Sequence, residues 1–235
     1  QRLDAPFPFL SMQPYFFPYI GYFQLVNYVD RFVLFDDVHY RNKGFIDRNT
    51  ILMNGSPHSI KLQLRGASQN KLIKEIELGD NGRKLIETVR HGYKRAEFFS
   101  KFFPVLEQIL ECERRNLSSF LLFLIQKITS YLDIRSEILR SSDIDLPHAG
   151  KDKIIPMVKA LGGTTYVNMI AGADMYSCAE FEREGLELRF LKPQLTEYPQ
   201  LSKTFCPTLS IIDLLMNVDV RQAGNIVKNP EIILR

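Results

Sequence analysis

The chain has 235 residues, 45% of them hydrophobic and 24% charged, with 30 Lys and Arg against 27 Asp and Glu. So apolar a composition offsets the ordering entropy of folding and excludes intrinsic disorder, and no apolar run reaches the roughly 18 residues of a bilayer span. The net charge of +3 is spread along the chain without the basic stripe of a nucleic-acid binder, so no DNA partner is expected.

In chain order, Phe9 to Gln13 reads as a buried strand that ends at Pro14. Pro14 and Pro18 bracket an aromatic loop, and Tyr19 to Val29 reads as helix, with Tyr19, Tyr22, Phe23 and Val26 at helical spacing. Arg31 to Phe35 is a strand that stops at Asp36-Asp37, so the chain opens β–loop–α–β, the order of a parallel crossover. Phe45 to Leu52, Ser59 to Leu64 and Ile73 to Leu78 predict three short strands, with turns at Gly55-Ser56-Pro57 and Gly66. Helices are predicted over Gly82 to Arg95, Phe98 to Glu113 and Leu117 to Leu132. The alternation then resumes: strand Glu137 to Arg140, helix Lys151 to Leu161, strand Thr164 to Asn168, helix Met175 to Glu184 and strand Leu186 to Leu191. A loop and two closing helices, Leu209 to Val218 and Val220 to Val227, complete the pattern. The expectation is an α/β fold with a mainly parallel Rossmann-like sheet, a small β excursion and a helical insertion at about 82–133, all in one domain spanning 1–235.

Three cysteines, Cys112, Cys178 and Cys206, form no CxxC pair. That argues against a disulfide framework and against a zinc site, so no metal is expected, and it suits a reducing cytoplasm. Gln1 to Pro8 shows neither a signal pattern nor a start Met, which points to a trimmed end.

Four segments carry candidate chemistry. Gln13, Tyr15, Tyr22 and Gly21 lie where a strand hands over to a helix, the place where open α/β sheets bind ligands; the alternative is that the aromatics are core and Gly21 packs on the sheet. Asp36 and Asp37 end a strand and face opposite ways if the strand persists, so one can bind a metal or an amine while the other caps a turn. Nearby Arg48, with Asn49, can clamp a phosphate or carboxylate, or else pair with a turn aspartate. Gly150-Lys151 opens a helix without P-loop spacing, so Lys151 is either a phosphate ligand or part of a solvated helix start. Finally Gln200, Ser210 and Asp213 belong to a polar loop and capped helix, with Thr208 as the expected cap. Cys206 lacks an activating partner and reads as structural, and His58 and His91 read as satisfied or solvated.

The runs QPYFFPYIGYFQL, FVLFDDVHY and RN, with YPQ…FCPTLSIIDLL near the end, resemble the WbqC-like family of bacterial surface-polysaccharide gene clusters, over about Leu10 to Asn217. That resemblance implies a role in making O-antigen or related glycans. It also implies transfer of glycine, or a similar small amino acid in activated form, to the amine of a nucleotide-linked amino sugar. In that setting Asp36 or Asp37 would serve the amine, Arg48 and Lys151 the phosphate or carboxylate, and Tyr15 and Tyr22 a base or sugar. The opening also resembles nucleotidyltransferase sheets, from which ATP is a cofactor by analogy only. A module that binds a nucleotide-sugar or a partner without catalysis is the alternative, and the oligomeric state stays open.

Overall fold

The structure, a computed structural model, describes residues 7–233. The stretch read as a trimmed end lies outside them except for its last two residues. The chain opens with β1 (Pro8–Met12), α1 (Ile20–Tyr28) and β2 (Arg31–Leu34). A β excursion follows, formed by β3 (Arg48–Met53), β4 (Ser56–Lys61), β5 (Leu64–Arg65) and β6 (Glu77–Leu78). Three helices come next, α2 (Gly82–Tyr93), α3 (Phe99–Leu110) and α4 (Leu117–Tyr131). The rest runs β7 (Glu137–Arg140), α5 (Ile154–Ala160), β8 (Thr165–Met169), α6 (Cys178–Arg183) and β9 (Glu187–Lys192). It closes with α7 (Ile211–Asn217), α8 (Val220–Val227) and β10 (Glu231–Ile233).

The main sheet has the order β10-β9-β8-β1-β2-β7, parallel throughout except for β10 at the edge. Taken in chain order the parallel strands read 3-2-1-4-5, the doubly wound arrangement. The fold is therefore α/β with a mainly parallel sheet, as expected. Alternate residues feed two cores. Leu10, Phe32, Leu34 and Val167 pack on the side of α1, α4 and α7. Phe9, Val33, Tyr166 and Phe190 pack on the side of α5 and α6. In α4 the buried stripe Leu117, Phe120, Leu121, Leu124 and Ile128 anchors the helix, each side chain contributing about 2 kcal/mol. Its start is capped by Asn116, whose side chain accepts from the Ser119 amide at 3.1 Å.

Local hydrogen bonding moves several expected boundaries. Asn54 and Gly55, at φ 52° and 76°, make a two-residue hairpin turn. That starts β4 at Ser56 and leaves Pro57 in the strand, not the turn. The strand expected over 73–78 is a 3-10 turn, Ile73–Glu75, followed by the two-residue β6. Glu75 reaches back to accept from the Leu72 amide at 2.8 Å, which closes the turn. The helix expected at 151 begins as a 3-10 turn over Gly150–Lys153, and the one at 175 shrinks to Cys178–Arg183. Ser210, not Thr208, caps α7, and Thr208 takes a left-handed φ of 62°. The antiparallel β10 had no counterpart in the expectation.

Candidate functional site

The topological switch of this sheet lies between β1 and β8, whose onward connections run in opposite directions, and such crevices receive ligands at the strands' C-terminal ends. On the other side of β1, at the C-terminal ends of β1 and β2, the Phe35 amide donates to the Met12 carbonyl at 2.8 Å. Gln13 and Asp36 each lie one residue beyond that bond, on neighbouring strands.

Asp36 is fully buried, on the α4 side. It accepts from the Ser118 hydroxyl, from the Ser142 hydroxyl at 2.8 Å and from the Ser142 amide at 3.0 Å. Its carboxylate thus ties the end of β2 to α4 and to the turn after β7. Asp37 turns to the α5 side, where it accepts from the Lys153 ammonium at 2.6 Å. The two aspartates part as adjacent extended residues do and meet only through Ser141, whose hydroxyl lies within hydrogen-bond reach of both. Lys153 is itself buried and also donates to the Ser141 carbonyl at 2.7 Å. Asp37 keeps 15% of its side chain exposed, so of the two it is the one a ligand can reach.

Aromatic side chains stand beside this edge. Tyr15 is half-buried, its ring 5.5 Å from Tyr22 and 5.7 Å from Phe45. Burial raises the Tyr15 pKa, and the nearby Arg41 charge partly opposes that. Tyr22 has no exposed surface, donates to the Gln13 carbonyl at 3.1 Å and is pushed well above the usual tyrosine range by burial. It is core, so of the two residues expected to form a wall only Tyr15 reaches the surface, with Phe45 beside it. Gly21 makes room for the ring of Tyr19, because a Cβ there would stand 2.5 Å from it, and the Tyr19 hydroxyl then reaches the Met169 sulfur at 3.6 Å.

The other expected ligand contacts act as braces. Phe17 takes a left-handed φ of 42° and is fully buried. Its carbonyl accepts from Asn49 Nδ2 at 2.8 Å and from the Ser210 hydroxyl at 2.7 Å, which holds a conformation costly for an aromatic residue. Asp213 is fully buried and accepts from the hydroxyls of Tyr93 at 2.8 Å and Tyr198 at 2.9 Å. Gln200 Nε2 adds a third bond at 2.9 Å, while its Oε1 accepts from the Cys206 amide at 2.8 Å. Burial raises the Asp213 pKa, and the three donors pull it back only in part. Cys206 is half-buried, with its thiol beside the Thr204 carbonyl at 3.8 Å. Arg48 points its guanidinium at Asp47 Oδ1, 3.3 Å away. Lys151 is exposed, 3.9 Å from Glu180.

The groups missed in the sequence are Lys153 and the serines 118, 141 and 142. The Ser141-Ser142 pair directly after a strand was the available signal, matching Asp36-Asp37 after its neighbour. A separate cleft of about 1060 Å³ lies between β4 and α2, bordered by Tyr40, Asp47, Lys61 and Lys84. There, burial and the Asp47 carboxylate push the Tyr40 pKa up to about 12. Among the described residues no group of three or more His, Cys, Asp or Glu side chains is placed to hold a metal ion, and no helix is long and apolar enough to cross a membrane.

Comparison with known proteins gives a family match over residues 13–224, to the model described as "WbqC-like protein family". A protein of Mycobacterium tuberculosis described as "Uncharacterized protein Rv1507c" is 26% identical over 212 residues, covering 88% of this chain and 92% of the relative. No solved structure matches.

Proposed function

The chain belongs to the WbqC-like protein family, and from that premise we propose that it works in the assembly of a bacterial surface polysaccharide as a transferase or ligase. It joins glycine, or a similar small acyl group, to the amine of a nucleotide-linked amino sugar. The observation that carries this reading is the Asp37–Lys153 pair beyond the C-terminal ends of β2 and β7, anchored through Ser141 and still open on the Asp37 side. A carboxylate placed so can take the proton from the sugar ammonium, freeing the nitrogen lone pair. The nitrogen–carbon bond then forms while the bond from the acyl carbon to its activating group breaks, and that group departs with the electron pair. Lys153 holds the Asp37 carboxylate at a fixed position throughout, so the base does not have to be ordered during the reaction.

The test uses two variants and two readouts. Asp37→Asn removes the base and should lower amide formation, followed by mass spectrometry with amino-sugar nucleotide, glycine and ATP, by about 10²–10⁴-fold. It also strands the buried Lys153 charge, which costs about 3–5 kcal/mol of stability. The double variant Asp37→Asn with Lys153→Met removes that stranded charge, so it should recover stability and remain inactive. Recovery of turnover per folded molecule in the double variant would show the pair to be a structural brace. Stabilisation by the nucleotide-sugar with no amide formed in the wild type would favour a binding module instead.

A further inference from the structure

The loop from Arg41 to Phe45 leaves the same sheet edge and has no role in the chemistry above. Four of its five residues, Arg41, Asn42, Lys43 and Phe45, are exposed. Phe45 shows 56% of its surface, an unusual amount for a large apolar residue in a chain this well packed. The loop is nonetheless tied down. The Phe45 carbonyl accepts from the Phe16 amide at 2.9 Å, and the Tyr40 amide donates to the Lys71 carbonyl at 2.9 Å. Lys43 sits at a left-handed φ of 73°, with its amide held by Asn42 Oδ1 at 3.1 Å. So an aromatic ring is displayed in a fixed place beside Tyr15, at 5.7 Å, and not as a mobile loop tip.

The charges complete the pattern. Arg48 and Lys61, close by, both pair with Asp47. Among the described residues Arg41 and Lys43 enter no ion pair, although the Arg41 charge is near enough to act on the Tyr15 hydroxyl. A largely exposed ring and two cations outside any described ion pair on one anchored loop match a ligand that carries a flat π system next to two negative charges. A free sugar lacks both features, and a small amino acid lacks the ring.

We infer that the 41–45 loop holds the nucleoside diphosphate half of the ligand, the base against Phe45 and Tyr15 and the diphosphate against Arg41 and Lys43. The inference rests on the transferase reading for the identity of the whole ligand and adds to it the residues that grip one half. Because the loop is already ordered, little conformational entropy is lost when the ligand seats.

The chain contains no tryptophan, so Phe45→Trp installs a single indole at the proposed stacking position. Titration with uridine, adenosine and thymidine diphosphates should quench its fluorescence saturably for at least one of them, while glucosamine leaves it unchanged. By calorimetry on the otherwise native chain, Phe45→Ala should weaken that diphosphate about tenfold, the scale of losing one base–aromatic stack. Arg41→Ala with Lys43→Ala should weaken it by a similar factor and flatten its salt dependence. Absence of saturable quenching by all three diphosphates, or an unchanged affinity in Phe45→Ala, overturns the assignment. So does tighter retention of a short single-stranded oligonucleotide than of any diphosphate. If amide formation proceeds while the loop variants bind normally, the loop assignment fails and the transferase reading stands. If the diphosphate binds at Phe45 but no amide forms, the loop assignment stands and the transferase reading fails.

Discussion

Asp213 and Asp37 are both acidic residues in segments that read as site-forming, and their surroundings differ in one respect that separates an enclosed carboxylate from an accessible one. Around Asp213 both oxygens are engaged and shut off from solvent. Its two oxygens receive Tyr93, Tyr198 and Gln200, and those donors are themselves engaged, since the Tyr93 oxygen accepts from the Leu52 amide at 2.9 Å and Gln200 Oε1 accepts from Cys206. The circuit joins α2, α7, β3 and the 198–206 loop, and no part of the carboxylate meets solvent. Asp37 is held by one cation and one hydroxyl and keeps an open flank. The number of donors alone therefore does not mark a functional carboxylate, because what matters is whether a ligand can reach an acceptor position that is left.

The largest effect should come from breaking the closed circuit. Asp213→Asn puts an amide donor where a tyrosine or glutamine donor already points, leaving at least one buried group unpaired. A loss of about 3–5 kcal/mol in urea unfolding follows, with the slope of the transition unchanged. An unaltered midpoint would mean that the network does not bear on stability and that Asp213 is free to serve a ligand. Asn49→Ala should cost less, about 2 kcal/mol, by taking the side-chain donors from the Phe16 and Phe17 carbonyls and releasing the left-handed turn at Phe17. Ser210 still donates to Phe17 in that variant, which is why the effect is the smaller of the two.

Acid and alkali should sharpen the same contrast. The native pKa of Asp213 is raised, so between the ordinary carboxylate pKa and that raised value the folded chain binds more protons than the unfolded one. Its contribution to stability then falls as pH climbs through that window and is flat above it. In Asp213→Asn this step disappears, which melting temperatures at stepped pH would detect. Tyrosines give a second step at the other end. Tyr40 is pushed up to about 12 from an ordinary value of 10.0, so stability falls as pH rises from 10 through about 12. Tyr40→Phe should remove part of that alkaline loss, and an unchanged alkaline limb would mean that the Tyr40–Asp47 contact is not formed in solution.

Much of the fold was legible because buried parallel strands write themselves as short apolar runs, as in Phe9 to Met12 and Arg31 to Leu34. What misled was local hydrogen bonding that composition does not show. The 3-10 turn at Ile73–Glu75 exists because Glu75 folds back on Leu72 and because the Lys74 amide finds the Asp36 carbonyl at 3.0 Å. The site was half legible. Asp36-Asp37 after a strand is visible in sequence, but Lys153 lies 116 residues further on. It reaches Asp37 because the chain leaves the edge strand β7 and turns back under the sheet before α5, a path set by strand order and not by any local motif. Asn49 and Ser210 read as ligand contacts because polar groups among aromatics stand out. Their partners are backbone carbonyls, which every residue has and no sequence advertises.

The smallest predicted effect separates two lysines that stand two positions apart. Lys151 belongs to the Gly-Lys signal that sequence favours, and its ammonium lies in solvent, 3.9 Å from Glu180 and 5.6 Å from the Tyr176 ring. An exposed pair of that kind is worth about 0–1 kcal/mol, so Lys151→Ala should shift unfolding by less than about 0.5 kcal/mol. If the phosphate grip sits on Arg41 and Lys43, it should also leave diphosphate affinity unchanged. Lys153→Ala, at the end of the same 3-10 turn, should be costly, since it leaves the Asp37 carboxylate without its cation and opens a void beside Ser141. Loss of diphosphate binding in Lys151→Ala would return the phosphate to the 3-10 turn before α5 and take it away from the 41–45 loop. Equal stability losses in both variants would show instead that the depth of burial separating the two lysines has no energetic consequence, and the contrast between closed and open centres would have to be redrawn.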